Sequence, residues 1–229
     1  MAAISGIDGA SLKTCLCRVI EEVNSDPTAA AVLKAQGVWD DLKVLRRRWK
    51  SPRANTYSKT TAVIMCSNMS PEVKRCWKAY MNRILKFSNT AEHVVRAYTV
   101  AEFLVTDLFD DVWSSIINPM EKAYIHEWAM DAGSPLYNPT AYVLGKSMAL
   151  IRDMPAPDPV LGNLPHRKLI MFVYTLPKDR RTGLSATILS YLKTMGVNLL
   201  CIASNDASDA LFCSLSFTQE KFDAWSYRC

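Results

Sequence analysis

The chain has 229 residues, of which 49% are hydrophobic and 21% charged, and a formal net charge of +5. That length suits one sizeable domain or a domain with a large extension, and the apolar content excludes a chain disordered by composition. No apolar run is long enough to span a bilayer as a helix, and Met1 opens no secretory signal pattern, so no membrane role is expected.

The charge is unevenly placed. Residues 1–90 carry 15 Lys+Arg against 7 Asp+Glu, a net +8, whereas residues 91–229 carry 12 against 15, a net −3. A basic front half suggests an anionic partner. Its densest cluster is Lys43, Arg46, Arg47, Arg48, Lys50 and Arg53 with Trp49 inside it. Nucleic acid is a partner this cluster allows rather than demands, because cations at a solvated helix end also favour the helix dipole. Seven cysteines, an odd number without regular spacing, point to reduced thiols and a cytoplasmic setting, with the nucleus open. Cys15-Leu16-Cys17 lacks metal-ligand spacing and only three His are present, so no metal site is expected.

In chain order, Leu12, Leu16, Val19, Ile20 and Val23 recur at helical spacing. Asp26-Pro27 ends that helix, and Thr28 starts another running to about Trp49. Ser51 to Lys59 is polar and reads as a loop, and Thr60 to Cys66 as a strand or a helix end. Ser70-Pro71-Glu72 starts a helix to about Phe87, with a capping serine and a proline in the first turn. His93 to Thr99 reads as a first strand, Phe103 to Ile116 as one helix, and Met120 to Met130 as the next after Pro119. Thr140 to Arg152 holds a strand or two bent at Gly145. Met154 to Pro165 is a proline-rich loop, Lys168 to Leu176 a strand, Ala186 to Met195 a helix, and Val197 to Ala203 a strand. A helix from Asp206 and a strand pair from Phe217 close the chain.

The most informative stretch is Pro177-Lys178-Asp179-Arg180-Arg181-Thr182-Gly183-Leu184-Ser185, between an apolar strand and a helix. The first N–H groups of a helix lack internal partners and sit at the positive end of its dipole. Gly183 lets backbone approach a ligand closely. The stretch therefore reads as a site for a pyrophosphate-bearing cofactor.

Its pattern, Pro-x-x-Arg-x-x-Gly-x-Ser, resembles the acetyl-CoA loop of the GNAT superfamily of N-acetyltransferases. Arg180 and Gly183 match, and Ser185 stands in the last, small position. Downstream, Asn205, Leu215 and Phe217 fit a second family pattern, with Ser216 in place of a glycine. The clear resemblance covers Lys168 to Phe217, and a weaker one runs back to about His93. It implies a mixed α/β fold with a central sheet flanked by helices over residues 93–229, preceded by a basic, mainly helical extension over residues 1–92.

The resemblance also implies roles. Backbone groups of Thr175 and Leu176 would meet the pantetheine arm of acetyl-CoA. The N–H groups of Arg181, Thr182, Gly183, Leu184 and Ser185 would hold the pyrophosphate, with Arg180 or Arg181 adding charge, and Asn205 belongs to the same cofactor cleft. Ser204 and Ser208 stand where the similar insect arylalkylamine and dopamine N-acetyltransferases carry two serines, and are the catalytic candidates. The position of the usual acidic tyrosine holds Phe212, and that of the catalytic glutamate holds Asn118. Glu121, His126, Glu127 and His166 are candidate replacements for the base. The expected activity is direct transfer of acetyl from acetyl-CoA to a primary amine, an arylalkylamine or a polyamine. The alternatives are a weak or inactive cofactor-fold protein that binds a partner through its basic half, and a protein lysine acetyltransferase.

Overall fold

A computed structural model describes residues 9–35, 54–85, 94–203, 205–220 and 224–229. The Lys43–Arg53 cluster and Ser204 lie outside these residues. Two compact units are present. The first is made of residues 1–90 and 100–107, the second of residues 91–99 and 108–229.

The described part of the first unit is helical: α1 (Gly9–Ser25), α2 (Pro27–Ala35), α3 (Ala54–Cys66), α4 (Pro71–Leu85) and α5 (Val100–Leu104). Asp26 separates α1 from α2 and starts the latter. Its carboxylate accepts from the N–H groups of Thr28 at 2.9 Å and Ala29 at 3.1 Å, with Pro27 in the first turn. The expected start at Thr28 is thus one residue late. Ser70 caps α4, accepting from Val73 N–H at 3.3 Å, while its own N–H and hydroxyl donate to Glu22 of α1. Val19, Val23, Leu33, Ile64, Trp77 and Met81 are buried.

Two expectations fail here. Ala54 to Lys59, read as loop, is helical, and Thr60 to Cys66 continues that helix. Within the stretch read as loop, Tyr57 is buried and Ser58 and Lys59 are half-buried, and the next two residues, Thr60 and Thr61, are buried. Thr61 donates to the Tyr57 carbonyl one turn back at 2.6 Å and accepts from Trp77 Nε1 at 2.9 Å. The helix expected over Phe103 to Ile116 is two helices. Thr106 turns back on Phe103 through both its N–H (3.0 Å) and its hydroxyl (2.7 Å). Then α6 (Asp107–Ser115) begins.

The second unit is built on a mixed seven-stranded sheet in the order β1-β2-β3-β4-β5-β7-β6. The strands are β1 (Arg96–Thr99), β2 (Thr140–Leu144), β3 (Ser147–Asp153), β4 (Arg167–Thr175), β5 (Asn198–Ile202), β6 (Thr218–Gln219) and β7 (Ala224–Tyr227). Every pairing is antiparallel except β4 with β5. That parallel pair is joined by α8 (Leu184–Thr194), whose Ile188, Leu189 and Leu192 are buried against Leu144, Ala149, Ile151, Ile170, Leu199 and Cys201. Helix α7 (Pro119–Met130) packs on β3 and β4, and α9 (Asp206–Ser214) follows β5. The mixed α/β sheet and the order strand, helices, strands, helix, strand, helix, strand pair are those the sequence implies.

Candidate functional site

Strand β4 is longer than its parallel partner can cover. Pairing with β5 runs from Arg167 opposite Asn198 to Ile170 opposite Cys201, and β4 then continues alone on that side from Met171 to Thr175. The departure coincides with a bulge. Leu150 faces Phe172 and Ile151 faces Ile170, so Met171 is the extra residue. A bulge bends its strand and sharpens the local twist. Past it, backbone groups directed away from β3 have no strand partner, and such an edge accepts an extended ligand by hydrogen bonding.

The open stretch leads into the glycine loop. Leu176 donates its N–H to the Lys146 carbonyl at 3.1 Å, and its own carbonyl accepts from Asp179 N–H at 2.8 Å. The Leu176 backbone is therefore committed within the protein. Arg180 folds back: Nε donates to the Thr175 carbonyl at 3.3 Å, and the guanidinium lies 5.5 Å from the centre of the Tyr174 ring. Arg181 and Gly183 both have left-handed backbones, at φ 64° and 82°. Gly183 is the N-cap of α8, and no side chain caps that end. A Cβ at Gly183 would meet nothing within 4 Å. The glycine is thus required by its backbone conformation, and the space above it is open. Uncapped N–H groups at the positive end of α8 below open space form an anion site, with the exposed Arg181 beside it. Thr182 turns its hydroxyl onto the Asp179 carbonyl. Ser185 bonds inward, to Thr175 Oγ1 at 2.6 Å and Ser147 Oγ at 3.0 Å.

The opposite face of β4 meets α6 and α7. Tyr174 is buried; it stacks on Phe172 and places its hydroxyl 3.1 Å from Ser115 Oγ. Ser115 ends α6, so the turn into α7 lies at the C-terminal end of β4. Trp128, near the other end of α7, donates from Nε1 to the Ile151 carbonyl at 3.1 Å, and Ile151 pairs with Ile170. Helix α7 therefore runs antiparallel to β4, with its first turn at the open end.

This orientation sorts the candidate bases. Asn118 is the N-cap of α7 and accepts from Met120 N–H at 2.9 Å, a structural use of the position where the resemblance expects a glutamate. Glu121 lies in the first turn beside it. Glu127 pairs with Arg152 at 3.1 Å, toward the far end of the helix. His166 precedes β4, and its carbonyl accepts from Asn198 N–H at 3.0 Å. It stands a full strand length from the glycine loop. His126 is exposed on α7. Around the same corner Ile117 is 93%, Met120 62% and Tyr124 39% exposed.

On the β5 side, Ile202, one residue past the last one paired with β4, is 69% exposed. Asn205 caps α9 in a capping box with Ser208: Asn205 Oδ1 accepts from Ser208 N–H at 3.0 Å and Ser208 Oγ accepts from Asn205 N–H at 3.2 Å. The Ser208 hydroxyl also reaches the Asn205 carbonyl at 2.8 Å. Phe212 and Phe217 are buried against Trp225 and Tyr227 and serve the core. Cys201 is buried, burial pushes its thiol pKa up, and Sγ lies 3.4 Å from the Trp225 carbonyl.

No protein-family model and no curated protein matches the sequence. Solved structures similar to this chain include the following two. One is a Desulfovibrio desulfuricans protein assigned to the GNAT family of acetyltransferases, with 13% identity over 59% of this chain and 98% of that one, at a TM-score of 0.43. The other is the ribosomal-protein-S18-alanine N-acetyltransferase of Escherichia coli, with 16% identity over 56% of this chain and 80% of that one, at 0.37.

The structure thus brings Thr175, Gly183, Leu184 and Ser185 together at one end of β4 and places Glu121 at the same end. Sequence reasoning missed Ser147 and the bulge at Met171. A lone serine opening the apolar strand Ser147–Asp153 was the available signal for the first.

Proposed function

We propose that the second unit is an acetyl-CoA-dependent N-acetyltransferase acting on a primary amine with an apolar body, an arylalkylamine before a polyamine. One observation carries this reading: the parallel β4/β5 pair separates after Ile170 and Cys201, and the freed part of β4 leads to the uncapped start of α8. An opened strand edge suits the amides of a pantetheine arm, and uncapped helix N–H groups suit a pyrophosphate at the end of that arm. The open space over Gly183 fits such a group. The exposed Ile117, Met120 and Tyr124 at the α6–α7 corner favour an acceptor with an apolar or aromatic body.

Acetyl-CoA supplies an activated acetyl thioester; the chain supplies binding, orientation and proton transfer. The N–H groups of Gly183, Leu184 and Ser185 hold the pyrophosphate, and Arg181 adds charge. Glu121 takes the proton from the ammonium form of the acceptor, because a neutral nitrogen is the nucleophile. One C–N bond forms and one C–S bond breaks. The departing thiolate would take up one proton, for which Ser208 in the first turn of α9 is the proposed source. Transfer is direct: Cys201 is a buried, protonated thiol and no nucleophile. Glu121→Gln should lower kcat by at least about a hundredfold, the usual contribution of a general base, with coenzyme A affinity unchanged.

The test is thiol release from acetyl-CoA across a panel of arylalkylamines, polyamines and lysine peptides, with coenzyme A binding measured in parallel. Turnover with arylalkylamines is expected. Absence of coenzyme A binding would overturn the reading. A second reading, a coenzyme A-binding protein without transfer activity, is favoured by the capping use of Asn118 and the burial of Phe212. Tight binding without turnover on any amine would establish it.

A further inference from the structure

Helix α8 begins without a capping side chain, yet its first turn is fixed. Three hydroxyls do this from a distance. Ser147 Oγ, at the start of β3, lies 2.8 Å from Thr175 Oγ1 at the end of β4 and 3.0 Å from Ser185 Oγ in the first turn of α8. Thr175 Oγ1 and Ser185 Oγ are 2.6 Å apart, which closes a triangle. Ser147 also donates toward the Tyr174 carbonyl at 3.2 Å, and it is fully buried, with 0% exposure. Each hydroxyl carries one proton and accepts on its oxygen. Three protons therefore serve four contacts, and none is left over for a ligand.

We propose that Ser147 is a positioning residue for the phosphate end of the cofactor site. It fixes the first turn of α8 while leaving that turn's N–H groups free. An ordinary cap fixes a helix start by accepting from those N–H groups, which would consume the donors an anion needs. Here Gly183 occupies the N-cap with nothing to accept, and the tie is made through side-chain oxygens of β3 and β4. It follows that Ser185 serves through its N–H, with its hydroxyl turned inward. This inference rests on the coenzyme A reading above.

The experiment measures coenzyme A affinity by calorimetry and backbone amide exchange along α8 in wild type, Ser147→Ala, Ser185→Ala and the core control Leu192→Ala, on the full chain. Removing one hydroxyl should weaken coenzyme A binding about tenfold, the scale of one lost hydrogen bond. Exchange should accelerate at Thr187, whose N–H bonds to the Gly183 carbonyl at 2.9 Å, and not at Ile188 to Leu192. The core control should loosen the whole helix. If Ser147→Ala fails to fold, Ser185→Ala, at the half-buried corner of the same triangle, carries the same expectation. Affinity within twofold of wild type in a folded variant overturns the inference, as does loosening that matches the core control. If wild type itself binds no coenzyme A, the functional reading fails instead.

Discussion

Gly183 is the position where backbone and ligand requirements can be separated. Its φ of 82° is the left-handed region, and an added Cβ meets no atom within 4 Å. Gly183→Ala should therefore cost about 1 kcal/mol from backbone strain alone. Gly183→Asp should lower Tm less, because aspartate tolerates that region and its carboxylate caps the helix. The same carboxylate occupies the anion site, so coenzyme A binding should vanish. Thermal melts with and without ligand compare the two; an aspartate variant that binds as well as wild type would dismiss the loop as a phosphate site. Ser208 has a bonded hydroxyl as well. Ser208→Ala should lose about 1 kcal/mol of stability with the capping box, and turnover of the folded fraction should fall more than coenzyme A affinity if its hydroxyl supplies the proton. Equal losses, or none, would leave it a helix cap only. The glycine loop was legible in the sequence because glycine before a helical pattern is a local signal. Ser147 was not, since its partners lie 28 and 38 positions away.

The bulge in β4 shapes the cleft. Ile170 and Val173 both pack against the α8 core although they are three residues apart, because Met171 interrupts the alternation. Deleting Met171 restores strict alternation and brings Phe172 into line behind Ile170. That variant should fold, with stability within about 2 kcal/mol of wild type, since the ladder becomes more regular. It should lose coenzyme A binding and turnover, because the strand no longer turns away from β5. A Met171 deletion with full turnover would show that the separation does not depend on the bulge. The strand itself was readable as an apolar run, but no sequence pattern announces which residue is extra. The split of α5 from α6 was hidden for a related reason. The apolar stripe from Phe103 to Ile116 is continuous, and only the bonds of Thr106 back to Phe103 break it.

At the scale of the whole chain, the first unit takes back a short piece of sequence after the second has begun. Residues 100–107 belong to the first unit, where α5 packs on α3, and Phe103 and Leu104 are fully buried. A fragment of residues 93–229 carries that helix without its partner. It should aggregate or melt at lower temperature than the full chain, and polar substitutions at Phe103 and Leu104 should restore its solubility. A fragment as soluble and stable as the full chain, without substitutions, would show that α5 does not need α3. The sheet order has a further consequence, for the time course of folding. Strands β2 and β3 are joined by a two-residue turn at Gly145 and Lys146, so their ladder needs almost no loop closure. The β4/β5 ladder needs the whole of the loop and α8 to be in place first, and it is short when formed. Closing longer loops costs more entropy, and non-local pairings form late. The hairpin therefore gains protection early in refolding, and β5 docks on β4 later. The cleft does not exist until that step, and a chain halted before it presents β4 as a bare edge to its neighbours.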